Sequence, residues 1–396
     1  MIRFLLITFI WGLCSYLNAT AQEFKTQPVP EKYLVGYEVT DEERASALTS
    51  LVNPYDLTNA LPSGYDTTGH TDYTDYLRAA IEKHNDVIMP NFPVKVSMKS
   101  GYGITMKSNT KMLFQKNSKL IMEPTALTDY EIILLWNRKN ITIYFANIEG
   151  DRQQHKGTAG ERGMGISITG SDNIRLIKPK VSDCWGDGIY LGTYFTKTDT
   201  LFAATNVYIE KAIVNKNRRN GLCIISAKNL TINGIICANT YGTDPQSGID
   251  IEPNTNFQLL ENIVINNPIT FNNRTMGITI NMIKLRWGQL HRKVGITINN
   301  MIDDYSARGL HMTLTGDDQK SQQSKNQLTG NININNPIFF NQRYKKNLRI
   351  YDFQQRNGID VHIFWDKKNE EVYKKSLSDY NELPQKAKNI RFDIKK

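Results

Sequence analysis

Two carboxylates stand where a strand should carry neither. In Gly248-Ile249-Asp250-Ile251-Glu252 the acids alternate with isoleucines, although Asp and Glu are poor strand formers. Side chains alternate across a strand, so Asp250 and Glu252 should project onto one outer face, with Cα atoms about 6.6 Å apart. Further chains of the same pattern place other reactive groups beside them. Asp187 precedes Gly188, Arg219 and Asn220 precede Gly221, and His311 follows Gly309-Leu310. At ~4.8 Å per strand step, Asp187 would lie about 9.6 Å from Asp250, two strands away. Tyr190, Asp183 and Arg308 fall beside this stripe as candidate binding residues.

Such a stripe suits glycoside hydrolysis, which needs one carboxyl as acid and one as base or nucleophile. Asp187, Asp250, Glu252 and His311 are the expected catalytic residues, and Arg219, Asn220, Tyr190, Asp183 and Arg308 the expected binding residues. A lyase or uronate epimerase would instead need a base and a cation facing the uronate carboxylate. Arg218, Arg219, Lys284, Arg286 or His311 would serve there, and the carboxylates would hold Ca²⁺. Plainer readings exist too. Asp before Gly is an ordinary turn residue, and on that reading Asp187 only shapes a corner. Asp151, Arg152, His155 and Glu161 share a Gly-rich stretch and read as a salt-bridged loop.

The elements that must position these residues repeat. One phrase is Gly-aliphatic-x-aliphatic, at Gly165, Gly188, Gly221, Gly248, Gly277, Gly309 and Gly358. Another is Asn-aliphatic-x-aliphatic, at Asn140, Asn173, Asn206, Asn229, Asn262 and Asn331. The period is about 23 to 33 residues, which means a solenoid, and strands without helical periodicity mean a parallel β-helix. Aligning the glycines gives inward columns of Ile166, Ile189, Leu222, Ile249, Ile278, Leu310 and of Ile168, Leu191, Ile224, Ile251, Ile280, Met312. The outward column is Ser167, Tyr190, Cys223, Asp250, Thr279, His311. Asparagines cluster at corners, at 266–267, 299–300 and 335–336, where the left-handed backbone suits them. Thr71–Asn85 reads as an amphipathic helix with Tyr76, Leu77, Ala80 and Ile81 on one face, suited to covering the open end of the stack.

Residues 1–21 read as a secretory signal: Arg3, an apolar run from Phe4 to Leu13, then Ala19-Thr20-Ala21. Residues 22–55 read as a linker or N-terminal extension, 56–365 as the β-helix domain and 366–396 as a charged cap or tail, with a final strand at Asn389–Ile394 suited to closing the C-terminal end. The chain has 396 residues and a net charge of +9. That balance favours an acidic partner such as a uronic or sulfated glycan. No nucleic-acid motif appears, and no segment after the leader is long enough to span a membrane. Three cysteines follow the leader, Cys184, Cys223 and Cys237, an odd number that argues against a disulfide framework.

One segment carries a family resemblance. Asp66-Thr67-Thr68-Gly69-His70-Thr71-Asp72-Tyr73-Thr74, then Leu77-Arg78-Ala79-Ala80-Ile81 and Val87-Ile88-Met89-Pro90, resembles the entry segment of the pectate-lyase-like superfamily. Gly150-Asp151-Arg152, His155, Gly160–Ile166 and Asp183–Ile189 are similar to exported bacterial members. The resemblance spans roughly residues 55–365. It implies an all-β, right-handed, single-stranded parallel β-helix with an N-terminal capping helix, a fold that hosts lyases, hydrolases, epimerases and depolymerases. The phrases typical of polygalacturonases and pectate lyases are absent, so pectin is not implied. The resulting expectation is an exported polysaccharide-degrading enzyme, foremost a hydrolase. A lyase or epimerase, and a non-catalytic glycan-binding protein, are the alternatives. No cofactor is required, Ca²⁺ applies only to a lyase, and the protein would be a monomer or homotrimer in the periplasm or outside the cell.

Overall fold

The computed structural model describes residues 24–99, 102–195, 201–315, 328–344, 348–352, 358–378 and 390–395. The expected leader lies outside them, as does most of the excursion at 316–328. Strands dominate, and all but one short pair are parallel. They form a parallel β-helix of about nine turns.

One sheet carries nine strands, one per turn. They are β1 (Ile104–Thr105), β2 (Glu131–Trp136), β3 (Met164–Thr169), β4 (Ile189–Gly192), β5 (Asn220–Ile224), β6 (Ser247–Ile251), β7 (Met276–Asn281), β8 (Arg308–Thr315) and β9 (Leu348–Asp352). The second sheet wraps the remaining faces. Its longest strands, such as Ala204–Asn215 and Ala227–Ala238, bend through two of them.

The register follows the glycine alignment. Ile166 pairs with Ile189, Ile189 with Leu222, Leu222 with Ile249, Ile249 with Ile278 and Ile278 with Leu310. Every member of both inward columns is fully buried. Full burial of one such side chain is worth about 1.5–3 kcal/mol, repeated at each turn. Gly358 departs from the alignment. Its strand, Gly358–Asp366, pairs with Leu328–Asn335 in the second sheet, so Val361 lies beside Ile332. The two phrases share period two, and local pattern cannot say which face a strand joins.

Asparagine ladders hold the corners. Asn173 Nδ2 donates to Asn140 Oδ1 (2.9 Å) and Asn262 Nδ2 to Asn229 Oδ1 (2.9 Å). Asn267, Asn300 and Asn336 all have φ near +50°.

The N-terminal end is closed by α2 (Thr74–Lys83), which buries Leu77, Ala80 and Ile81. Tyr76 is a correction: it is 46% exposed. Asp72 ties down the start of this helix: it accepts from Thr74 N–H at 3.0 Å, while its other oxygen accepts from Ser97 Oγ at 2.6 Å. Asp66 accepts backbone N–H bonds from Thr68, His70 and Thr71, which explains both acids of the entry segment. Residues 24–55 lie along the solenoid. Tyr33 and Tyr37 pack on Ile236 and Phe271, and α1 (Asp41–Thr49) opens with a capping box. At the far end Ile390–Lys395 pairs with Gly358–Asp366 and covers it, as expected for a closing strand.

Candidate functional site on the outer face of the nine-stranded sheet

The glycine column has a steric origin. A Cβ on Gly188 would lie 2.2 Å from Val214 Cγ1, and one on Gly277 would lie 2.3 Å from Asp303 Oδ1. The inside of this corner has no room for a side chain. The chain turns there and strict alternation breaks. The residue before the glycine therefore reaches the outer face, where Asn220 Nδ2 donates to Asp250 Oδ2 at 3.2 Å.

An ionic seam crosses β4 to β6. Arg219 Nη1 donates to Asp187 Oδ2 at 3.0 Å and lies 3.7 Å from Cys223 Sγ. The Cys223 thiol lies 3.8 Å from Asp250 Oδ2. Asp250 Oδ1 is buried without a hydrogen-bond partner. Asp187, Cys223 and Asp250 are each 0% exposed, and the Arg219 guanidinium lies against the Asp187 carboxyl and the Cys223 thiol. Glu252 is half-buried, and its Oε1 accepts from Asn281 Nδ2 at 2.9 Å.

Burial sets the electrostatics. It pushes the Asp250 carboxyl well above the ordinary range, and the Glu252 charge adds to this. Burial also raises Asp187, against the opposing pull of Arg219. Arg219 is raised in turn, chiefly by the Asp187 charge, so the guanidinium keeps its proton. The Cys223 thiol is pushed well up by burial and stays neutral, so it is not an activated thiolate. Asp250 thus favours its neutral form beside a more exposed carboxylate.

The structure brings Asp187, Arg219, Asn220, Asp250 and Glu252 together, with Tyr190 alongside in register with Cys223. The other three lie apart. His311 is two strands from Asp250, with Thr279 between them, and faces Thr313 Oγ1 at 3.1 Å. Arg308 opens β8, with its guanidinium over the Tyr344 ring. Asp183 is a corner residue with φ +53°, its carboxylate accepting from Gln153 Nε2 at 3.0 Å.

The Gly-rich stretch forms a packed clamp. His155 Nδ1 meets Asp151 Oδ2 at 2.8 Å, Tyr130 donates to the other oxygen, and the imidazole stacks on Trp185. Arg218 covers the opposite face of Trp185 and donates to Gly160 O. Arg286 is buried, and Lys284 reaches Asn254.

A cleft of about 600 Å³ on the same face escaped the sequence reading. Tyr102, Trp136, Tyr190 and Phe195 give it rings, and Glu131 and Arg162 give it charge. Arg162 bridges Asp129 Oδ1 (3.1 Å) and Glu131 Oε1 (3.5 Å). Burial raises the Glu131 carboxyl despite Arg162. The signal was there in part. Leu134 pairs with Ser167 and Trp136 with Thr169, so β2 extends the outward columns by one turn. Ile132 stands where the glycine would be, which hides the phrase. Among the described residues no group of three or more His, Cys, Asp or Glu side chains is placed to hold a metal ion. No helix among them is long and apolar enough to cross a membrane.

The chain has the right-handed parallel β-helix fold. Its structure is similar to the A-module of the mannuronan C-5 epimerase AlgE4 of Azotobacter vinelandii, with a TM-score of 0.54 and 13% identity over 79% of this chain and 87% of that one. It is also similar to a 1,3-α-1,4-β-D-galactose-4-sulfate-3,6-anhydro-D-galactose-2-sulfate 4 galactohydrolase, with a TM-score of 0.54 and 12% identity over 75% and 74% of the two chains. The surface adhesin PfbA of Streptococcus pneumoniae shares the fold at a TM-score of 0.50 and 12% identity, over 80% and 86%. In sequence, the uncharacterized protein YclG of Bacillus subtilis is 27% identical over 218 residues, 49% of this chain. The match spans 37% of YclG, so this chain corresponds to little more than a third of that relative. No family model matches.

Proposed function

We propose that this protein cleaves a polysaccharide laid along the outer face of the nine-stranded sheet, by carboxylate acid/base hydrolysis. The observation that carries this is the pairing of a buried, neutral-leaning Asp250 with the more exposed Glu252, next to an aromatic cleft. Two carboxyls whose surroundings differ in this way can divide the acid and base roles. Asp250 Oδ1 has no hydrogen-bond partner among the described residues and would protonate the leaving oxygen. Glu252 would act as base or nucleophile. Asp187 and Arg219 would hold the seam in place, and Arg219 would swing aside to admit substrate. Trp136, Tyr102 and Tyr190 would stack sugar rings. Export follows as part of this reading.

A lyase or epimerase acting on an acidic glycan is favoured by Arg162, 49% exposed in the cleft and 5.8 Å from the Tyr190 ring, which would exchange its Asp129 and Glu131 partners for a uronate carboxylate. Non-catalytic glycan binding is favoured by the full burial of Asp187 and Asp250.

A panel of neutral and acidic polysaccharides, read for reducing ends and for unsaturated-uronate absorbance together, separates the three. Reducing ends alone support hydrolysis. Both signals mean a lyase. Neither signal, with binding retained, means a binding protein or an epimerase, which proton exchange at the sugar then distinguishes.

A further inference from the structure

A second cleft of about 600 Å³ lies at the corner before β7 to β9, under the N-terminal segment. Phe24, Lys25, Arg274, Tyr305, Arg343 and Tyr344 line it, and no Asp or Glu does so among the described residues. Arg343 is fixed: it donates to the carbonyls of Asn273, Arg274 and Tyr305 and to Asn272 Oδ1, so its charge meets only neutral oxygens within hydrogen-bond reach. The Arg274 guanidinium has no hydrogen bond or ion pair to any described residue.

Tyr305 is the informative member. The corner column runs Asp183, Lys216, Asn239, Asn272, Tyr305, joined by backbone bonds from turn to turn, and every member has φ between +48° and +64°. Asn239 and Asn272 ladder there through their amides at 2.8 Å. Tyr305 interrupts that ladder in the same left-handed conformation, at φ +64°, which favours Asn and strains a bulky residue. Tyr305 is 39% exposed, and Tyr344 is 51% exposed. A position that forgoes its ladder amide for a strained, exposed ring beside a cation points to a ligand.

We infer that this cleft is a separate binding site for an acidic oligosaccharide. The rings would take the apolar faces of pyranose units, and the guanidinium forks would take carboxylate or sulfate groups. The cleft holds a few sugar units at most, whereas a nucleic acid would need a longer run of cations. The site is distinct from the sheet face and does not depend on which reaction occurs there.

The test is calorimetric titration of the mature full-length chain, at low salt, with trigalacturonate, a sulfated galactan tetrasaccharide, neutral cellotetraose and a single-stranded oligonucleotide. The expected result is binding of an acidic sugar, weakened by salt, that Arg274→Ala reduces about tenfold. Tyr305→Asn should weaken it severalfold while leaving Tm equal or higher, because Asn restores the ladder. That second readout separates a ligand role from a structural one. Asp250→Asn and Trp136→Ala should leave this binding unchanged, which separates it from binding on the sheet face. The inference is overturned if neither cleft substitution alters affinity, if no acidic sugar binds, if cellotetraose binds equally well, or if the oligonucleotide binds more tightly through Arg274.

Discussion

The outer face of the nine-stranded sheet is two surfaces laid end to end. Toward β2 to β4 it is open and aromatic, with Trp136 43% exposed and Tyr102, from the loop before β1, 41% exposed. Across β4 to β6 it is ionic and closed, with Asp187 and Asp250 fully buried. Both are built from the same outward columns on the same backbone, so pleat geometry does not separate them. The difference lies in what folds across each. The Arg219 guanidinium lies on its own sheet and shuts the seam, whereas Arg162 is held at the cleft's edge by Asp129 and Glu131. Sugar binding needs accessible rings, and a shifted carboxyl needs exclusion of water. The molecule keeps these two requirements in adjacent places.

The largest effect should come from Asp250→Asn. It should lower turnover on whichever polysaccharide is degraded by about 10²–10⁴-fold, the usual weight of a general acid, while Tm holds or rises. Unchanged reducing-end release would remove the seam from the chemistry.

Arg219→Ala should cost about 3–5 kcal/mol in urea unfolding, because it strands a buried carboxyl. Arg162→Ala should cost within about 1 kcal/mol, because its own side chain and its Asp129 partner are about half exposed. Similar costs for the two arginines would erase the contrast between closed and open ends.

The pH dependence of stability sharpens the point. Buried Asp303, beneath the corner before β8, is pushed up to about 6. Between the ordinary carboxylate value and about 6, the native state keeps a proton that the unfolded state has released. Stability should therefore fall as pH rises through that window, by about 3 kcal/mol in all, and then level off. Asp250 acts in the same direction, with its loss extending to higher pH. Denaturation midpoints from pH 4 to 8 should show a flatter profile for Asp303→Asn, and for Asp250→Asn a gain at neutral pH. A steep profile preserved in both variants would contradict the burial argument.

The smallest effect belongs to the open end. Trp136→Ala should weaken substrate affinity by about 1 kcal/mol, roughly fivefold in KM, with kcat little changed. A fall in kcat without a change in KM would move Trp136 from binding into the chemistry.

Much of this was legible before any coordinates. The two inward columns and the outward column fall in register as the glycine phrases imply, because burial on one face permits only one pairing. The capping helix, the closing strand and the corner asparagines were legible for the same reason: each is a local pattern with a local cause. The break in alternation at the glycines was not, because it arises from Val214, Asn217 and Asp303 on neighbouring turns. Nor was the cleft, where Tyr102, Phe195 and Gln258 converge from distant loops.

What the sequence by itself determined is where each Cβ points: Asp250 outward, Ile249 and Ile251 inward, turn after turn. What the tertiary structure alone decided is what covers those side chains. Arg219 closes over Asp187 and the Cys223 thiol, Tyr190 leans over Gly192, and Tyr305 takes a corner that asparagines hold on the two preceding turns. Direction follows from backbone period, which neighbours in sequence set. Exposure, and with it the charge state of a carboxyl, depends on every atom within reach in space, and most of those come from other turns.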